Sequence, residues 1–535
     1  MNTKPMLTAV AAALFSLGAC VSAQAADLST CTTCHSNITK AHAGAAHKDI
    51  ACTSCHSGVD QHLKKVTDRP TVNMDPATCG GCHQAQYKSL YKDDGRAARQ
   101  SKKAPNGPAP DPFFDRALGA HGFTVEHDLP RAHVWMAIDQ FIVDRAFGGR
   151  FEPKDGWLYA TLDGGKSYKV WDVLKDNYPD NNVQKAHKPG TAAAANAVCW
   201  SCKSTDVMMD WAYLGDKVEG AQFSRSSNPV DVVRKVNHAI NCNFCHDPHT
   251  AQPRVVRDAL IDAVTRDDKS VPNVYRDVKD VGVRGFTRKV AYMDKADSNL
   301  MCAQCHVEYI CNPGFDAKTG AKIGFDSRLT NHFPFVNADE IEQYYDKIGF
   351  RDFKHNLTGA ALVKMQHPDT ETYFGSTHDK AGATCATCHM PKVKDEKTGK
   401  MYTVHWATSP RHYMQETCLT CHKDKTAEQM NKAIDAMKGH YDGKVREAEA
   451  RMNDMFNAFE LAIASGVDEK TLDEARKLHS SAHINWEYWT AVNGAYFHNP
   501  EEAQRSLAKS AKAASDATAL LRKAIAAKAS AKAGK

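Results

Sequence analysis

From Ala427 onward the apolar positions recur with a period near 3.6: Met452, Met455, Phe456, Phe459 and Ile463 fall on one face of a helix predicted over Ala427–Ser465. Gly466 is placed to end that helix and Asp468 to cap the next. The second helix runs through Leu472, Leu478 and Ile484 toward Trp489. A third opens at Asn499-Pro500-Glu501-Glu502, a cap residue followed by proline and two acids favoured by the dipole. It then runs into an Ala/Lys tail expected to fray. Upstream of residue 426 no such period holds, and short helices joined by long loops are expected.

The N-terminus has its own pattern. Lys4, the apolar run Leu7 to Leu17 and Ala23-Gln24-Ala25 read as a secretory signal over residues 1–25. The competing lipoprotein reading rests on Leu17-Gly18-Ala19-Cys20. The run is too short to span a bilayer, and no later stretch is long enough. A segment rich in proline, glycine and charge around Asp93 to Pro112 reads as a linker.

The region without helical periodicity carries the chemistry. Seven segments read Cys-x-x-Cys-His: Cys31, Cys34, His35; Cys52, Cys55, His56; Cys79, Cys82, His83; Cys242, Cys245, His246; Cys302, Cys305, His306; Cys385, Cys388, His389; and Cys418, Cys421, His422. An eighth ends in lysine: Cys199, Cys202, Lys203. This is the attachment signature of haem c, and composition alone predicts about 0.03 such pentads. Both thiols add to haem vinyl groups, and the adjacent histidine binds iron. A lysine there marks one haem as different; the alternative is a degenerate motif that has lost its haem. An iron with two histidines conducts electrons, whereas catalysis needs an open coordination position. A lysine bound to iron does so as the neutral amine.

Composition then limits the rest. The chain has 535 residues, is 42% hydrophobic and only 8% aromatic. That fits two or three globular domains whose core is filled largely by porphyrin. The formal charge of +5 would be reversed by haem propionates, so runs such as Lys102-Lys103 read as solvated surface and no nucleic-acid partner is expected. Of 18 cysteines, the eight motifs use all but Cys20 and Cys311. Cys20 lies in the signal. Cys311 is an odd thiol in an exported chain.

The segment Cys199-Trp200-Ser201-Cys202-Lys203-Ser204 resembles the active-site haem motif of the ammonia-forming cytochrome c nitrite reductases. Cys302 to Tyr309, Lys364-Met365-Gln366-His367-Pro368, His389-Met390-Pro391-Lys392 and His498-Asn499-Pro500-Glu501-Glu502 extend the resemblance over roughly residues 125 to 525. Five motifs fall inside it. Three lie before it, as in the octahaem members of the group. The resemblance implies a mainly α multihaem cytochrome c: signal 1–25, N-terminal trihaem domain 26–120, pentahaem catalytic core 121–425, and long C-terminal helices 426–535.

It also implies roles. Arg145, Tyr309 and His367 would surround nitrite at the Lys203 haem. Read without it, Arg145 is a surface ion-pair partner, and Tyr309 and His367 are packing residues or haem ligands. Glu308, the Tyr309 and Lys364 carbonyls and the Gln366 side chain would hold calcium, all of them oxygen donors; otherwise Glu308 is a surface acid. Cys311 would form a thioether with the Tyr309 ring; otherwise it packs as a small hydrophobe. As sixth ligands it implies His133 for the haem at His306, His405 for His246, His498 for His389 and His378 for His422. For the three N-terminal haems, spacing points to His47, His62 and His121, with His42 and His127 competing. His440 reads as structural or exposed.

The expectation is a periplasmic octahaem enzyme, with eight covalent haems and calcium, that reduces nitrite to ammonium using six electrons from a periplasmic or membrane-bound donor. Hydroxylamine and sulfite are side substrates, and a homo-oligomer is expected. Rival readings are an octahaem hydroxylamine oxidase or tetrathionate reductase, against which Lys203 argues, and a pure electron carrier.

Overall fold

The computed structural model describes residues 28–73, 75–92, 196–228, 238–270, 286–293, 297–311, 313–492 and 494–534. It also describes Val232, the strand 277–283, His133 and four short strands between residues 107 and 152, mostly as backbone alone. The signal segment, the linker apart from the strand Gly107–Pro108, His121 and His127 lie outside the described residues.

Chain contacts divide the molecule into two units. One comprises residues up to Met74 together with His249–Ala251; the other comprises Asp75–Pro248 and Gln252–Lys535. In the first, helix α1 (Leu28–Ala43) carries the first motif and breaks its geometry at His35 (φ −115°).

The second unit is mainly helical, with short strands. The attachment motifs sit on single helical turns: α2 (Ala197–Trp200), α3 (Cys242–Cys245), α5 (Cys385–His389) and α6 (Cys418–Cys421). In one turn, residues i and i+3 share a face, so both thiols point to the same side. Caps make such short helices stable. Asn196 accepts from Cys199 N, Asn241 accepts from Asn243 N, and Thr384 pairs reciprocally with Thr387. Among them runs a three-stranded antiparallel sheet, with β3 (Phe286–Tyr292) between β1 (Arg254–Val255) and β2 (Asp277–Val283). Helix α4 (Ser298–Ala303) leads into the sixth motif.

The C-terminal helices form where the period predicts them: α7 (Ala427–Ala464), α8 (Glu469–Thr490) and α9 (Pro500–Ala533). Thr426 and Gln429 make a reciprocal capping box on α7. Gly466 takes the left-handed conformation (φ +71°) that ends it, and Asp468 caps α8. Met452, Met455, Phe456 and Phe459 are buried against α8 and α9. Ile463 departs from the expectation. It is 47% exposed, and the buried row continues at Ala462 instead. Two turns of 3.6 from the buried Met455 land on 462 rather than 463. The tail also stays helical to Ala533, as its alanine content favours, although no described residue after Leu521 is buried. Among the described residues no helix is long and apolar enough to cross a membrane.

Candidate functional site

Around the attachment motifs the histidines are arranged as metal ligands are. His306 Nδ1 lies 2.9 Å from an Asp369 carboxylate oxygen. His389 Nδ1 is 2.8 Å from the Thr408 carbonyl, His405 Nδ1 2.8 Å from that of Thr403, and His62 Nδ1 3.1 Å from that of Asp68. Anchoring Nδ1 by a proton donated to oxygen leaves Nε2 as a neutral lone pair, the usual second shell of a metal-bound imidazole.

Ring spacing gives a second test. Two imidazoles on opposite sides of one iron, each with Fe–N near 2.0 Å, have ring centres about 6.2 Å apart. His133 and His306 stand 6.4 Å apart, His378 and His422 6.4 Å, and His389 and His498 6.3 Å. Those are three of the four core pairings the sequence resemblance implies. For the fourth, His246 is among the groups that act on the half-buried His405. Burial pushes His133 and His498 down to about 4, so both are neutral, as ligation requires. In the first unit His35 and His62 are 6.2 Å apart, and His56 stands 6.0 Å from His249, which sequence reading passed over. His47 is half-buried in the turns after α1, and His83 is exposed. Ile38, Ile50, Leu63, Val66 and Val72, all in this unit, are more than 40% exposed. Such apolar surface suits porphyrin faces. The residues therefore fit haem.

The motifs also approach one another. The thiols of Cys202 and Cys305, of Cys302 and Cys385, and of Cys79 and Cys242 are close neighbours. The lysine motif thus abuts the sixth, the sixth abuts the seventh, and the third abuts the fifth.

The lysine motif has distinctive surroundings. Lys203 is half-buried, while Trp200, Ser201 and Cys202 are buried. Tyr309 is 3% exposed; burial, then the nearby Cys199, Cys311 and Cys202 thiols, push its phenol well above the usual range. The Cys311 thiol contacts Cys199, and its carbonyl accepts from Asn196 Nδ2 at 2.6 Å. Asn196 therefore caps the motif helix and ties Cys311 to it. Arg257, also missed in the sequence, is fully buried. It donates to Ser201 Oγ inside the motif and to Asn331 at 2.8 Å, and lies over Phe333, whose ring is 5.9 Å from Tyr309. His367 is half-buried. Arg145 begins a short strand, Arg145–Phe147, whose side chains lie outside the described residues.

Beside Tyr309 is a buried acidic pocket. Glu308 is fully buried, so the surface-acid reading does not hold. Its carboxylate accepts from Tyr345 Oη at 2.7 Å and Gln366 N at 2.6 Å. Burial pushes Glu308 and Glu371 well up and Asp352 up to about 7. Oε2 of Glu371 and Oε1 of Glu487 lack hydrogen-bond partners among the described residues. Lys364 and Gln366 are buried close by. A surplus of buried carboxylate with spare lone pairs is what a hard divalent cation would neutralise, so calcium fits this donor set.

Comparison with known proteins bears on all of this. The cytochrome c552 family matches residues 156–535. Cytochrome c-552 of Haemophilus influenzae is 30% identical over 395 residues, 70% of this chain. The cytochrome c nitrite reductase subunit NrfA of Nitratidesulfovibrio vulgaris is 28% identical over 372 residues, 65% of this chain. The chain spans 64% and 62% of those two proteins' own lengths. The solved cytochrome c nitrite reductase of Desulfovibrio desulfuricans, described with two calcium sites, shares the fold at TM-score 0.52 and 23% identity, covering 84% of this chain and 86% of that one. With the attachment motifs, the paired histidines and a match over most of its length, the chain belongs to the cytochrome c552 family, that of the NrfA-type cytochrome c nitrite reductases.

Proposed function

We propose that this chain reduces nitrite to ammonium at the haem attached to Cys199 and Cys202. The observation that carries the reading is the burial of Tyr309 and Cys311 against the one motif in which lysine replaces histidine. When bound, haem supplies iron with an open position for nitrite and a route for six electrons.

The protein's part is positioning and proton delivery. Arg145 and His367 donate hydrogen bonds to the nitrite oxygens and favour N–O cleavage, and the Tyr309 hydroxyl donates a hydrogen bond or a proton. A thioether between Cys311 and the Tyr309 ring, formed as the S–H and ring C–H bonds break and a two-electron oxidant such as dioxygen takes the electrons, would hold that hydroxyl in place. Arg257 keeps the motif loop rigid through Ser201. Calcium, when bound, would be held by Glu308, the Gln366 side chain and the Tyr309 and Lys364 carbonyls, and would stiffen the same segment. Seven of the eight haems, the N-terminal three of them over residues 26–120, would conduct electrons to the one at Lys203, and the close approach of motif thiols supports short steps. The proposed setting is the periplasm, with a membrane-bound or soluble donor and a homo-oligomer built on the C-terminal helices. Hydroxylamine and sulfite are proposed side substrates.

The test is an assay with a reduced dye. Six electrons consumed and one ammonium formed per nitrite are expected. No nitrite-dependent oxidation would end the proposal. A pure carrier would lack any high-spin haem when oxidised. Peptide mass tests the crosslink: a loss of two hydrogens is expected, and an alkylatable Cys311 would refute it.

A further inference from the structure

We infer that His249 is the sixth ligand of the haem attached at Cys52 and Cys55, opposite His56. The inference rests on the reading of the motifs as haem sites, but not on nitrite as substrate.

Two observations point to it. The first is spacing. The rings of His56 and His249 are 6.0 Å apart with planes 15° apart. That separation lies within a few tenths of an ångström of the other four motif pairs. Histidine pairs outside the motifs span a wider range, from 4.9 Å for His355 and His479 to 6.1 Å for His479 and His483, so the spacing counts here because His56 belongs to an attachment motif. The second is organisation. The unit that holds the first two motifs takes in one further segment of the described chain, His249–Ala251. Nothing in the sequence calls for a tripeptide nearly two hundred positions away to join it, unless it supplies something the unit lacks. His62 already stands opposite His35, so the unit needs one more imidazole.

The local backbone suits the role. Asp247 N donates to the Gln252 carbonyl at 2.9 Å and closes a tight loop with His249 near its tip. Pro248 fixes one torsion just before it. Arg254 pairs with Asp247 at 3.3 Å and anchors the base. Ala251 takes a left-handed conformation (φ +62°), strained for a residue with a Cβ and kept only where the surroundings demand it. His249 would bind as the neutral imidazole and leave that iron with no open position.

The test uses the full holoprotein. In H249A the reduced protein is expected to bind one additional carbon monoxide per chain, and the oxidised electron paramagnetic resonance spectrum to gain one further high-spin haem. H249M is expected to stay low-spin, to gain a sulfur-to-iron absorption band and to show one haem at higher potential. H62A should also add one carbon monoxide and H47A none. Haem content by pyridine haemochrome, unchanged in every variant, reports that the chains have matured. If H249A matures with unaltered carbon monoxide stoichiometry and spin state, or if H47A opens the extra site instead, the assignment falls. Nitrite turnover enters none of these readouts, so a failure here is distinct from a failure of the proposed reaction.

Discussion

Residues 196–425 and residues 427–533 are ordered by opposite means. The C-terminal helices are long, and they bury Met452, Phe456, Phe459 and Trp486 among themselves. The described helices of the preceding region are eight residues at most, below the length at which a helix holds by itself. Its charged groups are buried as well, Arg257, Arg288, Glu308 and Glu371 among them. Such a segment needs an internal scaffold, and the porphyrins with their iron ligands supply it. One half is folded by its side chains and the other by what its side chains hold.

The sharpest way to break that contrast is to withhold haem. Chain made without haem attachment is expected to lose protease resistance across 196–425 while keeping much of its far-UV helical signal; uniform loss would refute the division. Next in size is Phe459→Ala. It should cost about 3–5 kcal/mol in chemical denaturation followed by helicity, and leave the haem absorption bands of the folded protein unchanged. Asn196→Ala removes hydrogen bonds to Cys199 N and the Cys311 carbonyl. We expect about 1–3 kcal/mol, with the high-spin haem signal broadened and the low-spin signals intact. Smallest is Gly466→Ala, at about 1 kcal/mol, seen as a modest fall in the melting temperature of the helices alone.

Legibility followed the same division. The C-terminal helices could be read because burial there repeats every 3.6 residues, and Thr426, Gly466, Asp468 and Asn499 punctuate it. The error at Ile463 is one of phase, since a single apolar residue on the wrong side of Ala462 looks equally good in a linear scan. The eight attachment motifs were legible because their pattern is local. The strand pair β2–β3 was missed, although Phe286, Arg288 and Val290 alternate inward. Sixth ligands are harder. The proposed ligand His62 lies close to the first motif in sequence, but the proposed ligand His249, like Arg257, is far along the chain from the motif it meets, and no short-range pattern marks either. Cys311 was noticed only because cysteine arithmetic left it over.

The paired histidines have a consequence for the topology of the chain. The cysteines of the motifs are committed to haem, so disulfides are not what holds distant segments together. In the proposed holoprotein each iron does that instead. It is tied covalently through haem to one segment and by coordination to another, such as His306 to His133 and His389 to His498. Closing a loop of about 100 residues restricts the unfolded chain by about 4–5 kcal/mol. These clasps resist thiols, and they open to any small molecule that outcompetes an imidazole for iron.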